Sequence, residues 1–117
     1  MKKLNIILVF HFNQSLSPRV VIPNEVCYKG LVEVLAKHKN LKFVINISGC
    51  LLHSLRWYNS SAIHDIKAGI DNLGWELLGS TYSQNIIYSS PEFMNLNQIE
   101  LHKKVLTNQF GVQPRGF

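Results

Sequence analysis

The sequence predicts an α/β domain in which parallel β-strands alternate with helices. Two observations carry this. Short apolar runs recur at residues 4–10, 41–47 and 75–80, the second of them β-branched, and between them apolar residues fall at three-to-four spacing. Period-3.6 stripes between short apolar runs are the mark of crossover helices over a sheet buried on both sides, and such connections are right-handed.

The elements follow in order. Residues 4–10 form a near-continuous apolar run, read as a strand covered on both faces, and a polar stretch at 11–23 interrupts it. Asn24 can cap a helix, because its side-chain oxygen can accept from the free N–H groups of a first turn. Behind it Val26, Cys27, Gly30, Leu31, Val34, Leu35 and His38 mark one helical stripe. The second strand, 41–47, ends at Ser48 and Gly49, and a short helix is expected over 50–58. A clearer helix starts at Ser60 or Ser61: Ile63, Ile66, Ile70 and Leu73 share a face, and Gly74 stands where a left-handed cap is needed. The third strand is 75–80. Pro91 opens a last helix with Ile99, His102, Val105, Leu106 and Phe110 on one side, ended by Gly111. Residues 111–117 read as a loop leading toward a fourth strand.

Composition bounds the function. With 46% hydrophobic and 16% charged residues, the 117 residues describe one globular unit with a core, residues 1–117. The net charge of +5 raises a nucleic-acid reading, but the lysines are scattered in ones and twos, where a phosphate-tracking surface needs a clustered stripe. No nucleic-acid partner is therefore expected. The opening apolar run is about seven residues long, contains Asn5 and meets His11 without a small-residue cleavage site, so it is not read as a signal peptide. No stretch approaches the roughly 20 apolar residues of a membrane span, and no membrane association is expected. Cys27 and Cys50 form no Cys-x-x-Cys pair, which suits a reducing cytoplasm.

Loops that leave the carboxyl ends of parallel strands form the binding face of such folds. Three segments qualify. After strand one come His11, Asn13 and Gln14, which could hydrogen-bond hydroxyls or serve a metal or an acid–base role. After strand two comes Asn46-Ile47-Ser48-Gly49-Cys50-Leu51-Leu52, also readable as a turn with Gly49 for backbone freedom and Ser48 as a helix cap. The third is Gly74 through Gln84. Glu76 lies in an apolar run, so it either sits exposed on an edge or points into a polar cavity. Strand alternation places it with Leu78, Ser80 and Tyr82 on one side. A phosphate-cradling Gly-rich loop, a nucleophile elbow and a zinc helix are all missing from the sequence. His11, His38, His53, His64 and His102 form no pair at ligand spacing, so no metal or cofactor is expected, and His38 and His102 read as structural.

Taken in order, these segments resemble glycoside hydrolase family 57. The family's first motif is His, any residue, then His-Gln-Pro; here His11 and Gln14 match, while Asn13 and Ser15 depart from it. Asn46 through Leu52 follows the family's Asn-x-Ser-Gly-x-Leu-Leu run, and Gly74 through Ile87 is similar to its second motif, with Glu76 and Tyr82 matching and Asn85 where Pro is common. Residues 110–117 resemble the approach to the third. The resemblance implies that residues 1–117 are the N-terminal segment of an incomplete (β/α)7 barrel, truncated before the nucleophile motif, and retaining chemistry on α-glucans or maltooligosaccharides, with His11, Gln14, Glu76 and Tyr82 as substrate-binding positions. Such chemistry needs two carboxyl groups about 5–5.5 Å apart. The family's nucleophile Glu and acid/base Asp have no counterpart in these residues, so no catalytic residue is assigned and the chain alone is expected to be inactive. An open sheet edge implies self-association. Two non-enzymatic readings stand beside this one: a carbohydrate-binding or protein-interaction module of the same fold, and a basic nucleic-acid-binding α/β domain.

Overall fold

A computed structural model describes residues 4–14, 21–58 and 60–117. Lys2, Lys3 and Ser15, with residues 16–20 of the polar stretch after strand one, lie outside the described residues. Three parallel strands form one sheet in the order β1-β2-β3: β1 is Val9–Phe12, β2 is Val44–Ile47 and β3 is Glu76–Leu77. The helices are the single turn α1 (Val21–Pro23), α2 (Lys29–Lys37), α3 (Gly49–Trp57), α4 (Ser61–Leu73) and α5 (Glu92–Phe110). An isolated parallel bridge joins Leu78 to Gly116, so the end of the chain lies beside β3 where the fourth strand was expected to begin.

The alternation of strands and helices holds, and the sheet has two distinct faces. Phe12, Ile45, Ile47 and Leu77 point into one core with Val32, Leu35, Leu51, Leu55, Ile66, Leu106 and Phe110 from the helices. Val9, His11, Val44, Asn46, Glu76 and Leu78 alternate with that set and make the opposite face. Caps bound three of the helices as their sequences predict. The Ser48 hydroxyl accepts from Leu51 N–H at 3.2 Å and the Ser60 hydroxyl from Ala62 N–H at 3.2 Å, while Gly74 (φ 70°) and Gly111 (φ 76°) adopt the left-handed conformation.

Four expectations change. The first strand is Val9–Phe12 rather than 4–10, and it is not covered on both faces: Leu4 is 81% exposed, Ile6 and Ile7 75% each. β1 is an outer strand, and none of the described helices packs on that flank. Asn24 is not a helix cap. It sits in a π turn, Asn24–Tyr28, that links α1 to α2, and its Oδ1 accepts from the Ser60 hydroxyl at 2.5 Å. The wider turn rotates the following helix, so the buried residues are Tyr28, Val32 and Leu35, while Val26, Cys27 and Val34 of the expected stripe face outward. Gly49 does not supply unusual backbone freedom; it lies in the first turn of α3, and a side chain there would overlap the Tyr82 ring. The third strand is shorter than expected, because the chain turns away after Leu78.

Candidate functional site

The parallel register brings the ends of the strands to one place. His11 pairs with Asn46 across β1 and β2, and Leu78 follows β3 on the same level. Asn46 is nearly fully buried and organises the group. Its Nδ2 donates to the carbonyl oxygens of Leu78 at 3.0 Å and Gly79 at 3.5 Å, which fixes the orientation of the amide. Oδ1 therefore faces the open side, where it accepts from His11 Nδ1–H at 2.6 Å and from Gln84 Nε2 at 3.4 Å. Gln84 also donates to the Ser80 hydroxyl at 2.8 Å. It is the one non-glycine residue with positive φ among those described, at 59°, a conformation held by the turn in which its N–H donates to the Thr81 carbonyl.

This network has a chemical outcome. With Nδ1 of His11 committed as donor, Nε2 of a neutral ring is left as an acceptor. With the Gln84 amide nitrogen committed twice, its Oε1 is left as a second acceptor. Two oriented acceptors on an exposed face suit the hydroxyl groups of a sugar. None of the seven carboxylates, Glu25, Glu33, Asp65, Asp71, Glu76, Glu92 and Glu100, is hydrogen-bonded to His11, Asn46 or Gln84. Among the described residues no three His, Cys, Asp or Glu side chains cluster as a metal site, and no helix is long and apolar enough to cross a membrane.

Of the four residues singled out by the sequence, His11 stands in this network. Gln14 lies two residues past β1, half-buried and outside the network. Tyr82 turns toward α3. Its carbonyl accepts from Gly49 N–H at 2.9 Å, its ring covers Gly49, and its hydroxyl meets His53 Nδ1 at 2.6 Å. Burial, with Cys50 beside it, pushes the phenol above its ordinary range. Glu76 shares the face of His11 but belongs to the other end of the strands: it pairs with Val44, which is level with Val9. Two strands across and two residues down is a separation on the order of 12 Å. There it is exposed, bordering a recess with Lys42 and Arg115.

Asn46, Ser80 and Gln84 were in the segments that the sequence offered but not among the chosen residues. The available signal was that the polar run after an apolar strand, not the acid within it, reaches the carboxyl end of a parallel sheet. His102 has the structural role expected of it. It is fully buried, accepts at Nδ1 from Ser80 N–H at 3.0 Å and donates from Nε2 to the Ile47 carbonyl at 2.8 Å, so α5 ties together the ends of β2 and β3 beneath the network. Burial pushes its imidazole below the ordinary value, against the opposing pull of the Ile47 and Ser80 backbone.

Residues 13–117 match the model of the family described as glycosyl hydrolase family 57. The structure is similar to the crystal structure of 4-α-glucanotransferase from Thermococcus litoralis, with a TM-score of 0.85 and 20% sequence identity. That likeness covers 97% of this chain and 18% of the glucanotransferase chain. No curated relative matches.

Proposed function

Because the chain belongs to glycosyl hydrolase family 57, we propose that it forms the N-terminal, sugar-binding part of an enzyme acting on α-glucans, a retaining hydrolase or a 4-α-glucanotransferase. The observation that carries this reading is the grouping of His11, Asn46 and Gln84 at the carboxyl ends of parallel strands, where α/β enzymes place their ligands. Maltooligosaccharide hydroxyls would donate to His11 Nε2 and Gln84 Oε1, both aimed by the single buried amide of Asn46. The carboxyl pair for bond cleavage is not part of this network, so these residues bind and orient while the chemistry requires groups from elsewhere. In this reading the chain alone is inactive, and its two free thiols, Cys27 and Cys50, support a reducing compartment such as the cytoplasm. The exposed side chains of Leu4, Ile6, Ile7, Leu8 and Val9 on the β1 flank support a tendency to self-associate.

Titration with maltotetraose, followed by amide NMR, tests the reading. Saturable shifts at residues 11, 46 and 84 are expected, weakened several-fold in His11→Ala, since a single lost hydrogen bond is worth about 1 kcal/mol. The absence of saturable shifts, or equal binding by His11→Ala, would remove the sugar-binding assignment.

A further inference from the structure

Ser80 stands between His102, which ties the strand ends, and Gln84, which faces the open side of the network. Its backbone N–H donates to His102 Nδ1 at 3.0 Å, and its hydroxyl accepts from Gln84 Nε2 at 2.8 Å. A tight turn makes this possible. Gln84 N–H donates to the Thr81 carbonyl at 3.3 Å, and the left-handed backbone of Gln84 accompanies a side chain folded back onto a residue four positions earlier. Sparsely populated backbone conformations persist where their surroundings hold them, and they gather at ligand sites.

A glutamine amide has two ends of similar shape and opposite hydrogen-bonding character. The neighbours of Gln84 decide which end turns outward. Asn46 offers it only an acceptor, Oδ1 at 3.4 Å, because Asn46 Nδ2 is taken by the Leu78 and Gly79 carbonyls. The Ser80 hydroxyl has one proton, and both of its other partners accept: the Thr81 carbonyl at 3.2 Å and His102 Nδ1 at 3.3 Å. The lone pairs of Ser80 are left for Gln84. A reversed amide would set its oxygen against that of Asn46 and compete for the single Ser80 proton. Of the two contacts only the one to Ser80 lies within the ordinary N–H···O range.

We propose that Ser80 is a specificity-determining positioning residue: by holding the Gln84 amide nitrogen inward it turns Oε1 outward, so the site recognises sugar hydroxyls by their hydrogens. Gln84 is half-buried, and among the described residues its Oε1 meets no donor and is not closed off from solvent. His11 Nε2 has the same character, since Asn46 Oδ1 takes the proton of Nδ1. The ligand is therefore a neutral sugar with two free hydroxyl donors. A group that only accepts, such as fluorine, an ether or an oxyanion, is disfavoured at both positions, because a site built to pair a hydroxyl is left unpaired without that proton. The inference rests on the sugar-binding reading of this face.

Methyl α-maltoside and its monodeoxy and monodeoxyfluoro derivatives test this, titrated against the amide resonances of residues 11, 46 and 84. Fluorine keeps the acceptor character of a hydroxyl and removes its proton. At the two ligand positions that meet His11 and Gln84, the fluoro and deoxy derivatives are expected to bind alike and about fivefold more weakly than the parent. In Ser80→Ala the Gln84 amide is free to turn, so at one of these positions the fluoro derivative should recover relative to the deoxy derivative, while the other position keeps its pattern. Ser80→Thr retains the hydroxyl and should behave as wild type. A merely structural change would weaken every derivative by the same factor. In the free protein the Gln84 side-chain NH2 signals, identified by their loss in Gln84→Met, should move in Ser80→Ala toward those of the exposed Gln113. Fluoro derivatives that bind like the parent at every position, an unchanged fluoro-to-deoxy ratio in Ser80→Ala, or unmoved Gln84 signals would overturn this inference and leave the sugar face standing. No saturable shift with the parent also overturns it, and maltotetraose added to the same sample decides whether the sugar face falls with it.

Discussion

His102→Ala is the sharpest test of how the sheet is held. The substitution removes an imidazole from a fully buried site and leaves the Ile47 carbonyl and the Ser80 N–H without their partner. Each abandoned buried group costs about 1–3 kcal/mol, and the cavity adds to it, as large-to-small core changes cost about 2–5 kcal/mol. A loss of roughly 4 kcal/mol is therefore expected in urea unfolding followed by far-ultraviolet circular dichroism. A domain of this size has about 5–15 kcal/mol in all, so the variant is close to unfolding. His102→Gln, which can still reach the Ile47 carbonyl, should lose less. The wild type also carries a pH signature. Burial lowers the imidazole pKa in the folded state, so the unfolded chain takes up this proton first as pH falls. The contribution is complete above the ordinary value of about 6.5 and is lost as pH drops toward the folded value, with a slope of at most about 1.4 kcal/mol per pH unit. Every other histidine is common to wild type and His102→Gln, so the difference between their pH profiles isolates this group. A His102→Ala loss below about 1 kcal/mol, or identical pH profiles, would refute the argument that His102 is a neutral tie between the two strand ends.

Three further outcomes follow from the packing. Gly49→Ala forces a methyl group into the Tyr82 ring and should cost about 1–3 kcal/mol in the same urea assay, with the amides at 80–84 moving most in NMR spectra. Tyr82→Phe keeps the ring but deletes the 2.6 Å contact with His53; a loss of about 1 kcal/mol is expected, and a neutral result would show that the hydroxyl contributes nothing. Replacing Ile6 and Ile7 with Lys places charge on the open β1 flank, and light scattering should then show a smaller particle than the wild type; an unchanged size would locate self-association elsewhere.

The sequence showed the α/β alternation because each strand is a short apolar run and three of the helices carry capping signals: Ser48 starts α3, Ser60 and Gly74 bound α4, and Gly111 ends α5. It misplaced what depends on the third dimension. A π turn contributes no hydrophobic periodicity of its own, so the rotation of α2 was hidden and Val26 and Val34 were assigned to the wrong side. The run at 4–10 looked buried because apolar sequence does not reveal whether a neighbour is present to cover it. The site was legible as three loops after three strands, and His11 emerged from the first. Glu76 drew attention as the acid in an apolar run, but the register with Val44 sets it at the entrance of β3, and only that pairing separates it from His11. Asn46 is the reverse case. Its position inside an apolar strand reads as an interruption until its amide is seen to reach two carbonyls and orient two side chains.

The order β1-β2-β3, continued by the bridge from Leu78 to Gly116, has a consequence for assembly. Among the described residues β2 and β3 each lie beside the strand synthesised just before, so neither waits for a partner that is still to be translated. Each addition closes a loop of about one strand–helix unit, and the entropy of closure grows only with the logarithm of that length. Folding can therefore advance with the ribosome, from the N-terminus and at one growing edge, since domains form during synthesis in that direction. The exposed flank of β1 goes with this order: β1 is made before β2 and β3, and among the described residues its outer side stays uncovered while they are added.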